Sequence, residues 1–438
     1  MISAQYITDK ETNTMGIMIR SVHLLNSPES ERTDVYISGS RISGVGKEPR
    51  GFSADEVIDG SHKTLMPGLI NCHTHAYMSL MRNFADDVPF HTWLFEKILP
   101  VEDTLKPEEA YYGNLLSFIE MLRTGTTTFV DMHMFPRMTV KACADTGMRG
   151  VITRGLTGAD RNDEGAKRRL AEAADEKAYG ESIGAPCTFG YGPHAIYTCG
   201  EDLLRYAAEL AHEGGGLIHL HLAETETEYN DCLKEHGCTP VEYIERIGML
   251  EERCIFAHCV YLTEHDMELL ARPNVSVVTN PASNMKLANG FAPIPRMLQK
   301  GVRVALGTDS AASNNCLNMF SEMRLLSMAQ KGANREALAL TAEETIAIAT
   351  RNGAEALGFA DLGSIETGKT ADIILINENE PSLRPIYNRK ASLIYSANGS
   401  EVSDVIIGGK ILMRDRNLTT IDEERVYFET EKIAARLR

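Results

Sequence analysis

The sequence predicts an α/β fold: a (β/α)8 TIM-type barrel with a small β-sandwich domain formed from both chain ends. Three observations lead there. Eight short apolar runs alternate with longer helical segments through the middle of the chain. Strand-like segments crowd the first sixty-odd residues and return after Gly363. Each of the eight runs is followed by a polar or ionisable residue, and the carboxyl ends of barrel strands are where such a fold carries its site.

In chain order, "GIMIRSVHLL", "DVYISGSRISGVG" and "EVIDGS" read as short strands parted by turn residues. The eight barrel runs are 64–71, 126–132, 151–154, 188–191, 217–222, 254–257, 275–279 and 304–306. Between them, segments such as "PEEAYYGNLLSFIEMLRTG" and "DEGAKRRLAEAADEKAYGESIG" carry apolar residues at helical spacing and end in glycine. "GSIETGKTADIILIN", "ASLIYS" and "VSDVIIGGKILM" then read as strands, and "DEERVYFETEKIAARLR" as a closing helix. The expected division is 1–65 and 364–438 for the small domain and 66–363 for the barrel. Strand count alone leaves a doubly wound open sheet as the alternative.

The 438 residues carry 61 acidic and 44 basic side chains, a net charge of −17. Nucleic acid and anionic membranes demand clustered positive charge, so neither is expected as a partner. The N-terminal "MISAQYITDKETNTM" has no apolar core of a signal peptide. No apolar run approaches a membrane span. Nine cysteines without a CxxC pair read as reduced thiols of a cytoplasmic protein.

The strand ends deliver His73 and His75, then His133, Arg154, His194, His221 with Glu224, His258, Asn280 and Asp309. Residues i and i+2 of a strand point to one side. His73 and His75 therefore offer two imidazoles to one point, and His221, His258 and Asp309 are candidates to complete a shell. Nitrogen and oxygen ligands with a place left for water describe a catalytic zinc site. His219 shares a face with His221, but His221 keeps the HxxE spacing to Glu224. His219 is expected deeper in the barrel.

"PGLINCHTH" (67–75), "HLAET" (221–225), "AHCV" (257–260), "NPASNMKL" (280–287) and "GTDSAASNN" (307–315) resemble the amidohydrolase superfamily, over nearly the whole chain. The resemblance implies His73, His75, His221 and Asp309 as metal ligands, with His258 at the ion or close beside it. Binuclear members carry a carboxylated lysine at the end of strand four. No lysine occurs here between Lys177 and Lys234. One divalent ion is implied, Zn2+ first, with Fe2+ or Mn2+ as alternatives. Such an ion lowers the pKa of bound water to about 7.

Within the superfamily the chain most resembles 5-methylthioadenosine/S-adenosylhomocysteine deaminases. "FHTWLFEKILPVEDTL" (90–105) implies Trp93 and Glu102 as nucleoside contacts, Glu102 on both ribose hydroxyls. "YGPHAIYTC" (191–199) implies His194 at the ribose, and "ITRGLTG" implies Arg154 near the substrate tail. A second arginine, one of Arg161, Arg168 and Arg169, is implied for a tail carboxylate. Glu224 would move protons to the ring and the departing ammonia, and Asp309 would take the water's proton. His133 is expected behind the ligands or on the pocket wall. The implied reaction is hydrolytic deamination of an adenine nucleoside by a homo-oligomeric enzyme. The alternatives are another purine, pterin or triazine, including dechlorination, and, from a different class, a catalytically inactive scaffold.

Overall fold

The computed structural model describes residues 15–28 and 31–438. The stretch read for a signal peptide lies, through residue 14, outside the described residues.

The chain opens with β1 (Gly16–Leu24), β2 (Thr33–Ser38), β3 (Arg41–Val45), β4 (Glu56–Asp59) and β5 (Lys63–Pro67). The barrel strands follow: β6 (Leu69–Thr74), β7 (Thr126–His133), β8 (Arg149–Leu156), β9 (Cys187–Pro193), β10 (Leu217–Leu222), β11 (Cys254–His258), β12 (Val275–Thr279) and β13 (Arg303–Leu306). They form one parallel sheet in sequence order. Ile70, Val130, Val151, Ile255, Val278 and Ala305 share a buried cluster against the helix Arg351–Leu357. The two ends of the sheet meet. Asp309 N–H donates to His73 O at 2.9 Å. The Asn71 amide accepts from Thr308 N at 3.0 Å and donates to Thr308 Oγ1 at 2.8 Å. The ring is therefore a barrel rather than an open sheet. Seven of the eight predicted runs fall on its strands; the first, 64–71, straddles β5 and β6.

The chain ends supply β14 (Ile373–Asn377), β15 (Val402–Ile407), β16 (Lys410–Arg414) and β17 (Asn417–Leu418). These join the first five strands in the order β17-β16-β15-β14-β5-β1-β2-β3, with β4 paired to β1. The join is antiparallel, Leu65 opposite Leu375. A bulge in β1 between Ile19 and Val22 bends the strand. The first half of the sheet packs Ile17, Val35 and Ile58 against Leu65, Ile373 and Ile406 of the second, as the facing layers of a sandwich do.

The helices Pro107–Arg123 and Glu164–Ser182 lie where their periodicity predicts. "ASLIYS" is a correction: it is helical, within Arg389–Tyr395, and Asn388 caps it by accepting from Ala391 N–H at 2.9 Å. The closing helix Glu423–Leu437 packs on Pro107–Arg123, with Arg123–Glu423 and Arg436–Glu109 ion pairs between them. All nine cysteines are free. No helix among the described residues is long and apolar enough to cross a membrane.

Candidate active site

Hydrogen bonds behind the imidazoles decide what they present to the barrel mouth. His75 Nδ1 donates to Met132 O at 2.7 Å, and His221 Nδ1 to His194 O at 2.7 Å. Behind His73 the chain of donors is longer. The Thr153 hydroxyl donates to Asp131 O at 2.9 Å, so it accepts from His219 Nδ1 at 3.1 Å. His219 Nε2 then accepts from His73 Nδ1 at 2.7 Å. All three residues are left with a bare Nε2 lone pair. His219 is indeed deeper in the barrel, and it acts on His73 from there.

The lone pairs converge. The Nε2 atoms of His75 and His221 are 3.3 Å apart, and Asp309 Oδ1 lies 3.4 Å from His73 Nε2 and 3.5 Å from His75 Nε2. His73 Nε2 is buried and has no hydrogen-bond partner among the described residues. Burial pushes its pKa down to about 4, so it does not fill the gap with a proton of its own. Acceptors facing acceptors repel unless a cation lies between them. Ligand atoms about 2.0–2.1 Å from a tetrahedral Zn2+ stand roughly 3.3–3.4 Å apart, the spacing seen. His73, His75 and His221 form one compact donor set, and His73, His258 and Asp309 a second. These donors fit a divalent metal ion.

Their carboxylate is held from behind: Ser283 and Ser313 hydroxyls donate to Asp309 Oδ2 at 2.6 and 2.8 Å. His258 Nδ1 donates to Asn284 Oδ1 at 2.8 Å, which turns its Nε2 toward the site. Ala223, His258 and Asp309 all adopt left-handed backbone, with φ of 51°, 77° and 61°. Such strain costs about 1–3 kcal/mol per residue and collects where side chains must be aimed.

The role of His219 gives a direct expectation. His219→Phe keeps the bulk of the ring but removes the acceptor for His73. Metal affinity, read by chelator competition, should fall about 10–100-fold. Unchanged affinity would show that the hydrogen bond behind His73 does not set its tautomer.

Glu224 is buried beside this cluster, its Oε2 3.7 Å from His258 Nε2. Asn289 Nδ2 donates to its Oε1 at 2.9 Å. Glu228 fixes the turn beneath by accepting from the Ala223 and Glu224 N–H groups at 3.0 and 2.8 Å. Burial pushes the Glu224 carboxyl up to about 8; Asp309's charge adds to this and the Asn289 bond opposes it. Near neutral pH it can hold a proton.

One cavity brings together His75, Trp93, Glu102, His194, His221, Glu224, His258 and Asp309. Met78, Phe90, Leu94, Met132 and Met134 give it apolar walls. Trp93, the only tryptophan, sits on a π-helical turn, Thr92–Ile98, and donates from its indole nitrogen to Ala312 O at 3.3 Å. Glu102 is buried at the end of the helix Leu99–Glu102 and accepts from the Tyr77 hydroxyl. Burial raises its pKa. His194 Nδ1 pairs with Thr198 Oγ1 at 3.0 Å, and burial pushes it down to about 4. Tyr77, Asn284, Asn289 and Glu228 escaped sequence reasoning. The only signal for them was nearness to a strand end, or to the quoted "NPASNMKL".

Arg154 does not join this wall. Its Nε and Nη2 donate to Glu172 Oε2 at 3.0 and 2.8 Å, and its Nη1 to His133 O at 3.2 Å and Gly155 O at 3.0 Å. Arg161 pairs with Asp202 and Glu209, and Arg168 with Glu172. Of the three arginines offered for the tail, Arg169 is bonded to a cavity-lining residue. It donates to Thr157 O at 3.4 Å, and Thr157 lines the cavity. Its buried Nε has no hydrogen-bond partner among the described residues. His133 is buried against Glu176 at 2.8 Å, and Glu176 also accepts from Arg137 N–H at 2.7 Å. That pair braces the turn after β7 and is not pocket wall.

The chain is similar to known proteins over nearly its full length. A 5-methylthioadenosine/S-adenosylhomocysteine deaminase of Caldanaerobacter subterraneus is 44% identical over 97% of this chain and 99% of its own. A 5'-deoxyadenosine deaminase of Methanothermobacter thermautotrophicus is 42% identical over 96% of this chain and 99% of its own. The structure of an adenosine deaminase from Xanthomonas campestris with bound zinc superposes with a TM-score of 0.90 at 32% identity, covering 97% of this chain and 99% of that one. Residues 64–412 match the amidohydrolase family. The chain belongs to that family.

Proposed function

We propose that this protein is a metal-dependent aminohydrolase that deaminates adenine nucleosides, 5-methylthioadenosine and S-adenosylhomocysteine among them, to inosine-type products and ammonia. One observation carries the reading. A single cavity joins a cluster of bare lone pairs, a carboxyl able to hold a proton near pH 7, and a second buried carboxylate at Glu102. The names of the relatives support the same substrate class.

His73, His75, His221 and Asp309 would hold the ion, for which Zn2+ fits best. When bound, it supplies water acidified to a pKa of about 7. The chain's own groups do the rest. Asp309 accepts a proton from that water. Glu224 gives its proton to a ring nitrogen as negative charge develops there, then takes the remaining hydroxyl proton and passes it to the departing amine as the C6–N bond breaks, and the proton held by Asp309 restores it. His258 Nε2 accepts a hydrogen bond and fixes the line of approach to C6. Water enters, ammonia leaves, and the proton count closes.

Glu102, with two acceptor oxygens, suits a pair of ribose hydroxyls, and His194 stands by it in the same cavity. Trp93 closes the wall. For a carboxylate-bearing tail we assign Arg169, because Arg154 is already taken up by Glu172.

The test is a spectrophotometric screen of adenosine, methylthioadenosine and adenosylhomocysteine against free adenine, a pterin and a chlorotriazine. Nucleosides should be turned over and free adenine nearly ignored. A site built to pair with hydroxyls rejects analogues lacking them by up to about 10⁴–10⁵. Glu102→Ala should narrow that gap by harming the nucleosides. An enzyme that ignores every adenosine derivative yet hydrolyses a free ring would sink the substrate class and leave the metal chemistry standing.

A further inference from the structure

The loop after β12 touches both groups that face each other across the cavity. Asn289 donates to Glu224 Oε1 at 2.9 Å, and Asn284 accepts from His258 Nδ1 at 2.8 Å. The two amides are tied together. Asn289 N–H and Gly290 N–H both donate to Asn284 O, at 2.8 and 3.3 Å. Gly290 has a φ of +115°, which a side chain would strain. The loop therefore fixes one donor on Glu224 and one acceptor on His258.

We propose that Asn289 is a positioning residue that reserves Glu224 Oε1 as a permanent acceptor, so that only Oε2 exchanges protons with the substrate. The proposal rests on the deaminase reading above. A hydroxyl at Oε1 would set its hydrogen against the amide hydrogens of Asn289. The Glu224 proton accordingly sits on Oε2, which faces His258 Nε2 at 3.7 Å, and both residues line the cavity. During turnover the O–H bond at Oε2 breaks as an N–H bond forms on the ring, and the electron pair stays on the carboxylate. The remaining hydroxyl proton then passes by way of Oε2 to the departing amine as the C6–N bond breaks, and the proton held by Asp309 restores the O–H bond at Oε2. Asn284 matches this polarity. By taking the Nδ1 proton of His258 it keeps the lone pair of Nε2 turned toward the site.

Three variants separate polarity from packing. Asn289→Ser keeps a smaller donor, Asn289→Ala removes it, and Asn289→Asp keeps the shape but presents an acceptor. Turnover should fall in the order Asn, Ser, Ala, Asp. The Asp variant should lie roughly 100-fold or more below the parent, within the range of general acid–base losses. KM for methylthioadenosine should stay within about threefold, and metal content and melting temperature near those of the parent. If packing alone matters, the order follows shape. An Asp variant close to the parent and an Ala variant at the bottom would overturn the proposal. If the Asp variant loses its metal, Ser against Ala decides, and equal turnover in those two also overturns it. Failure of the deaminase reading would appear separately, in the parent enzyme's substrate screen, and the series would then be run on whichever ring compound is hydrolysed.

Discussion

Asp309→Asn is expected to leave a folded barrel that holds no divalent ion and turns over substrate at least about 10⁴-fold more slowly. That figure is the upper end of general acid–base losses, because one substitution removes a ligand and a proton acceptor together. Asp309 Oδ1 is the only carboxylate oxygen within 3.5 Å of the His73 and His75 lone pairs among the described residues. Asparagine offers no charge to offset a dication, and its amide hydrogens can satisfy the imidazole lone pairs in the ion's place. Ser283 and Ser313 still find an oxygen to bond. The apolar core behind the site does not depend on the ion. Metal analysis and circular dichroism check both halves of the expectation. A variant that binds one ion per chain and turns over normally would end the assignment of Asp309.

Glu224→Gln should have the second-largest effect, a loss of about 10²–10⁴ in turnover with the metal retained. Glutamine keeps the shape and an acceptor for Asn289, yet has no titratable proton. Because burial holds the native carboxyl at about 8, the native enzyme carries the proton at neutral pH and the variant cannot replace it. Near-normal turnover, measured with stoichiometric metal, would mean that another group moves the proton.

The barrel was legible because each of its strands carries a short, mainly apolar stretch that leads into a polar residue, as buried parallel strands commonly do. The candidate ligands were legible for the same reason: strand ends aim side chains at one mouth. "ASLIYS" misled because a short apolar run reads alike as strand or buried helix, and the Asn388 cap decides between them. Arg154 was legible as a strand-end residue, while the partner that satisfies it was not. Its partner, Glu172, lies on the following helix, where sequence spacing gives no hint of a contact. Tyr77 and Asn289 were missed because each acts on a residue 25 or 65 positions away, through loops whose course only the folded chain defines.

The antiparallel seam between β5 and β14 has a consequence for how the molecule is made. Leu65 must find Leu375, so the first strands emerge from the ribosome roughly 300 residues before their partner does. Until then β5 has an open edge, the kind of unpaired strand on which chains aggregate. The barrel, whose strands pair with neighbours in sequence, can assemble while translation continues. The small sheet cannot be completed until the last strands arrive. The long-range contacts that bring these strands together are therefore expected to be the slowest to form.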